Sequence, residues 1–384
     1  FNRRFSKAEA LKEIVPLLLA TLAHDLDRSI LLVTPTSQHA RNLQNQISAW
    51  IRDDTKILLF PETEILPFER LVSDPITSHE RLRGLSTLSK SKLEPKLVIS
   101  SATSLMQKTV SQSSFKSAAI TIQIGQSISL EQLVISLDQL GYTFQPTVDT
   151  NGTASRKGGI IDVFPADSKS PLRIEFWGNR IETIRFFDQL TQRSSQQTNS
   201  ASISPAKEIL PKFINEGLVT QLLEKIDSSN CSTETKNKLT SEVEFIRSGT
   251  EIEEVGFYTG LFSHGSLIDY VEDDFILITC SLSEIDGQAS EYEKRSENIR
   301  SAKELRGEIP INFPPPHFPW TEIKDKLGKF KKVLDLAQWG ATDLDRNKTH
   351  LIPFTQPPDF SGNLDQLDIE IERLMREKAQ VIAV

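Results

Sequence analysis

The run Arg173-Ile-Glu-Phe-Trp177 carries the most distinctive chemistry in this sequence. Read as a strand, its period of two puts Arg173, Glu175 and Trp177 on one face and Ile174 and Phe176 on the other. With Ile174 and Phe176 packed against a helix expected over 129–140, Trp177 faces outward beside Arg173. A cation next to a displayed indole is recognition chemistry of the kind that anchors protein interfaces. Arg156, Lys157, Lys169, Arg180, Arg185 and Arg193 make the surrounding segment basic in a chain of formal charge −8. That contrast favours an acidic partner surface. The competing reading is structural: a Trp half-buried by its cross-strand neighbours and an Arg that is merely solvated.

The sets of residues that would make or break bonds are missing. A phosphate cradle needs GxxxxGK[ST], whose backbone N–H groups ring the phosphates while Lys and Ser/Thr meet charge and magnesium. The nearest string, Gly328-Lys329, has Ile323 where the first Gly must stand and Phe330 after the Lys. GxGxxG, GxSxG and HExxH are absent. His24, His39, His79, His264, His317 and His350 show no i, i+4 pairing, and no two carboxylates are singled out for acid–base work. The apolar strand expected at 275–279 runs into Cys280-Ser-Leu-Ser283, where a magnesium-binding Asp-Glu pair would belong. Cys231 and Cys280 are too few for a disulfide framework or a cysteine zinc site. The expectation is a chain that binds without catalysing, with no cofactor or metal of its own.

A length of 384 residues exceeds what one core sustains and argues for two or three domains. Apolar residues at 38% suffice for real cores, and the net acidity argues against nucleic acid gripped over most of the surface. There is no 18-residue apolar run that would span a membrane. The basic-then-apolar N-terminus is broken by Lys12, Glu13 and Pro16 and reads as an amphipathic helix, not a signal peptide. The sequons at Asn151, Asn230 and Asn347 then carry no meaning, and a reducing cytoplasm fits the two thiols. The chain opens on Phe1 and closes on Val381-Ile-Ala-Val384, which reads as a strand just begun. A piece of a longer protein is expected.

Stepping along the chain, Lys7–Leu22 reads as a helix. The runs at 30–34, 56–60 and 96–100 read as buried strands, and 37–50 and 78–90 as helices between them. This alternation predicts a parallel sheet with helical cover. Near residue 118 the pattern changes to an α+β unit over about 120–200, with a hairpin turning at Gly178-Asn179. Residues 193–204 read as a polar linker. Helices at 216–227, 233–248 and 283–305 flank the strand at 275–279. Residues 340–365 read as a linker before a helix at 364–378.

Three strings resemble a known family. FPETEILPFERLVSDPITSHERLRGL (60–85), KGGIIDVFP (157–165) and LRIEFWGNRIETIRFFDQLTQRS (172–194) are similar to the UvrB-like N-terminal region of bacterial transcription-repair coupling factors. The resemblance implies an α/β fold. A degenerate P-loop-helicase-like parallel sheet domain, split in sequence, would carry an inserted α+β domain of the UvrB-interaction type. It divides the chain into 1–118 (first part of the α/β domain), 119–200 (the insert), 201–335 (completion of the first domain), 336–375 (linker with helix) and 376–384 (start of a next domain).

By the same resemblance the region is a non-catalytic adaptor that recruits UvrA to stalled RNA polymerase. The whole protein would be an ATP-dependent translocase on double-stranded DNA, with ATP and magnesium held outside this chain. Its C-terminal region would mask the insert. The family's UvrA-contacting residues fall on Arg173, on Trp177 and on the position before the Gly pair. Lys157 stands at that last position where the family has Arg, with Arg156 beside it as a substitute. Lys lacks the two-pronged geometry with which Arg grips a carboxylate. The alternative is a UvrB-type excinuclease subunit, or another helicase half, whose P-loop preceded Phe1.

Overall fold

Every residue of Ile30-Leu-Leu-Val-Thr34 is buried, as a strand covered on both faces requires. The computed structural model describes residues 5–26, 28–51, 57–90, 97–272, 274–338, 349–352 and 364–377. Its strands, in chain order, are β1 (Phe5–Ala10), β2 (Ile30–Thr34), β3 (Ile57–Phe60), β4 (Leu97–Ser101), β5 (Ile120–Gln123), β6 (Thr143–Phe144), β7 (Thr153–Lys157), β8 (Ile160–Val163), β9 (Leu172–Trp177), β10 (Arg180–Phe187), β11 (Ser194–Gln197), β12 (Ser200–Ile203), β13 (Ile276–Cys280), β14 (Lys332–Gln338) and β15 (Thr349–Leu351).

Seven of them form one parallel sheet in the order β15-β1-β14-β13-β2-β4-β3. Alternate side chains feed two cores, as the strand period dictates. Leu31, Val33, Phe60 and Val98 enter one; Ile30, Leu32, Leu59 and Ile99 enter the other. The second core is closed by the helices Val15–Asp25 and Ser37–Ser48, through Leu19, Ala23, Leu43 and Ile47.

The insert is built on a sheet of order β11-β10-β9-β8-β7-β6, antiparallel except between β6 and β7. One face packs on the helix Leu130–Gln139, which starts in a capping box between Ser129 and Gln132. Leu133 and Leu137 of that helix share a core with Ile161, Ile174, Ile181 and Ile184. The chain enters and leaves side by side, because β5 pairs antiparallel with β12. A further apolar cluster gathers Phe68, Val219, Val243, Ile246, Phe257, Tyr258 and Phe313.

Three expectations are corrected. Lys7–Leu22 is not one helix: Phe5–Ala10 is a strand, and the helix runs Val15–Asp25. Ala and Lys favour helix, but pairing with β14 and β15 overrides that preference, with Ala8 and Ala10 buried at period two. Residues 193–204 are not a free linker, since they contain β11 and β12. Exposed Ser and Gln side chains disguised β11, which lies at the sheet edge. The linker read from 336 begins too early: β14 continues to Gln338, and Thr349–Leu351 pairs with β1. Residues 339–348, 353–363 and 378–384, with the strand read at the C-terminus, lie outside the described residues.

Candidate protein-docking face

The face of the insert turned away from the helix Leu130–Gln139 follows from the register. Arg173 of β9 stands opposite Asp162 of β8 and Arg185 of β10, and Glu175 stands opposite Ile160 and Thr183. Lys157 of β7 is paired with Ile160. Side chains of cross-strand partners point the same way. Lys157, Asp162, Arg173, Glu175, Trp177, Thr183 and Arg185 therefore share one face.

Two glycine turns hold this face at one end. Lys157↔Ile160 and Trp177↔Arg180 each bracket a two-residue loop, Gly158-Gly159 and Gly178-Asn179. Gly158 and Gly178 have φ of 60° and 58°, the first-position geometry of the type II′ turn that suits twisted hairpins. The second hairpin is also pinned from below. Ile128 N–H donates to the Asn179 carbonyl at 3.0 Å, and Arg180 Nε donates to the Gly125 carbonyl at 3.1 Å.

Trp177 projects from this braced hairpin with 78% of its surface exposed. Phe176 beside it packs partly on the core, as the alternation requires. Arg173 is held differently. Its Nε and Nη2 donate to the two carboxylate oxygens of Asp162, both at 2.8 Å, and its guanidinium lies 4.7 Å from the centre of the Phe187 ring. Asp162 is buried. Hydrogen bonding to that carboxylate raises the Arg173 pKa above its ordinary value. Nη1 also reaches the Gln192 carbonyl at 3.4 Å.

Of the residues expected at the site, the fold brings Lys157, Arg173 and Trp177 together and separates Arg156. Arg156 is paired with Ile161, whose side chain enters the core, and its guanidinium meets Glu131 on the helix side at 3.1 Å. Lys157 is exposed and has no ion-pair partner among the described residues. Sequence reasoning gave no special place to Asp162 or Arg185. The period-two pattern of Ile-Ile-Asp-Val against Arg-Ile-Glu carries the register, but a register needs the pairing to be known.

A concavity of about 510 Å³ opens at the carboxyl ends of the parallel strands, where ligands bind in open α/β sheets. It is lined in part by Lys12, Glu13, Thr36, His39, Ser281 and Glu284. The loop from β1 to the helix Val15–Asp25 is Leu11-Lys12-Glu13-Ile14, a single 3₁₀ turn without glycine. Gly328-Lys329 closes the helix Trp320–Leu327. Among the described residues no group of His, Cys, Asp or Glu side chains is placed to hold a metal ion, and no helix is long and apolar enough to cross a membrane.

Residues 120–209, which contain this face, match the UvrB interaction domain. The chain is a relative of the transcription-repair-coupling factors. It is 27% identical to that of Bacillus subtilis over 288 residues, 72% of this chain and 24% of the relative. It is 32% identical to that of Myxococcus xanthus over 155 residues, 40% of this chain and 13% of the relative. For Staphylococcus aureus the figures are 28% over 210 residues, 55% and 17%. The chain thus spans about a quarter or less of the length of these relatives. The candidate docking face lies within the residues that match the UvrB interaction domain, whereas the concavity lies in the parallel sheet outside them.

Proposed function

We propose that this chain is a non-catalytic docking module that recruits UvrA, as part of a transcription-repair coupling factor acting at stalled RNA polymerase. The observation that carries the reading is Trp177. An indole 78% exposed on a braced hairpin is the residue type that dominates interface energetics. It shares its face with Lys157 and Arg173 inside a domain that matches the UvrB interaction family.

The concavity supports the non-catalytic side of the proposal. In a degenerate P-loop-helicase-like sheet, the strand–loop–helix unit at 5–25 stands where a phosphate loop would sit. Its loop offers neither glycines nor a Lys followed by Ser or Thr. Glu13 and Glu284 line the space alongside Lys12, and burial holds the His39 pKa below its ordinary value. Two carboxylates against one ammonium disfavour a polyphosphate. This same unit weakens the rival reading of a helicase half, whose P-loop would have to lie elsewhere. Double-stranded DNA translocation, with its ATP and magnesium, is assigned by the resemblance to the rest of the longer protein, as are RNA polymerase binding, masking of the insert by the C-terminal region and a cytoplasmic setting. The first cut, at 118, is kept as part of this proposal, whereas the cuts at 200 and 335 fall inside β12 and β14.

The test is a pull-down of purified UvrA by the wild-type chain and by Trp177→Ala. The variant is expected to lose about 2 kcal/mol of binding or more. Its melting temperature should stay near wild type, because the indole has little to lose on truncation. Undiminished capture by Trp177→Ala removes the docking assignment.

A further inference from the structure

Arg173 and Arg185 face each other directly across β9 and β10. Like charges in that position repel and destabilise a sheet. Asp162 neutralises only one of them. It accepts from two nitrogens of Arg173, and no other ion pair reaches its carboxylate among the described residues. Arg185 is half-buried and has no side-chain hydrogen bond or ion pair among the described residues. On its other side stands Gln197 of β11, which is uncharged. Glu175, the other carboxylate on the face, accepts instead from the Thr183 hydroxyl at 2.8 Å.

The geometry points to Arg185 as the cation that meets the partner at the centre of this face, with Arg173 serving as a positioning residue. A guanidinium already gripped by two oxygens of a buried carboxylate has spent its best-directed donors. Its neighbour across the ladder keeps all of them. No carboxylate of the described residues meets Arg185, so one arriving from outside would be its first charge partner. With Lys157 at one corner and Trp177 at the hairpin tip, the face presents an indole and two unpaired cations. The occupant that fits is an acidic surface with a shallow apolar recess. This rests on the docking reading above and names the contact within it, with UvrA as the occupant.

The experiment is titration of the 384-residue chain with purified UvrA, comparing wild type, Trp177→Ala, Arg185→Ala, Arg185→Lys and Arg173→Ala, each with its thermal melt. Arg185→Ala is expected to weaken binding by about tenfold or more, since a charge partner in the interface is left unmet, while its melting temperature is unchanged or slightly raised. Arg185→Lys is expected to recover only part of the affinity, because an ammonium cannot form the forked contact. Arg173→Ala is expected to lower the melting temperature by stranding Asp162. If Trp177→Ala weakens binding and Arg185→Ala does not, the assignment of Arg185 fails and the docking face stands. If neither weakens it, the docking face itself fails. A fall in melting temperature for Arg185→Ala as large as that for Arg173→Ala also overturns the assignment, because it shows a structural role.

Discussion

Arg81 holds Glu208 through two hydrogen bonds, Nε to Oε1 at 2.8 Å and Nη2 to Oε2 at 3.3 Å. Arg81 lies on the helix Pro75–Ser89, on the parallel-sheet side, and Glu208 lies near the end of the residues that match the UvrB interaction domain. Arg81 is 1% exposed, and its guanidinium donates to the Pro61 carbonyl at 3.0 Å and lies over the Phe60 ring. The pair fixes the exit of the insert onto the first sheet.

Removing one partner of this pair strands a buried charge. Glu208→Ala is expected to cost about 3–5 kcal/mol, whereas replacing both residues with Leu costs much less. The denaturation midpoints of the two variants measure the difference. Equal losses would show that Glu208 matters for something other than Arg81.

The turn at Gly178 gives a cleaner backbone test. Nothing lies within 4 Å of where a Cβ would be, so the cost of a side chain there comes from φ alone. Gly178→Val is expected to destabilise by about 1–3 kcal/mol and to weaken UvrA binding by disturbing the base of Trp177. Stability equal to wild type in a denaturant melt would mean that the hairpin can adopt another turn at no cost.

How much of this was legible in the sequence differs by element. The strands β2, β3, β4 and β13 were readable because burial on both faces leaves short apolar runs. The exposure of Trp177 followed from strict alternation in Arg173–Trp177. β1 was misread because Lys7, Ala8, Glu9 and Ala10 satisfy helical and strand periods alike over so short a run. β11 was invisible because an edge strand need bury nothing. The split between Lys157 and Arg156 was unreadable for a different reason. Adjacent residues on a strand always take opposite faces, but which of them lies with Trp177 depends on pairing through β8. The Arg173–Asp162 pair was hidden for the same reason, since eleven residues of sequence separate partners that the register makes neighbours.

Stability should fall on mild acidification. His317 is buried, with Nε2 2.8 Å from the Ser296 hydroxyl and Nδ1 3.2 Å from the Phe318 carbonyl, and burial lowers its pKa. Burial lowers those of His39, His79 and His264 too. The unfolded chain then binds protons before the folded one. Stability is intact above about pH 6.5 and declines as pH falls through it, by up to about 1.4 kcal/mol per pH unit for each such site. Glu308, held at about 2 by hydrogen bonds from Arg306 and Lys303, has the same sign in a lower pH window. Its contribution is lost only as pH drops below the ordinary carboxylate range. Urea midpoints from pH 7.5 to 5.5 should therefore decrease, and His317→Gln should flatten the slope. A level profile in the wild type contradicts the assignment.

Docking without catalysis is the claim on which the rest stands, and one calorimeter can test both halves of it. The chain is titrated first with UvrA and then, separately, with ATP and magnesium. The account expects saturable heat with UvrA, reduced by added salt as charged contacts are screened, and none with the nucleotide. Saturable ATP binding with turnover, or no interaction with UvrA at any concentration reached, contradicts it.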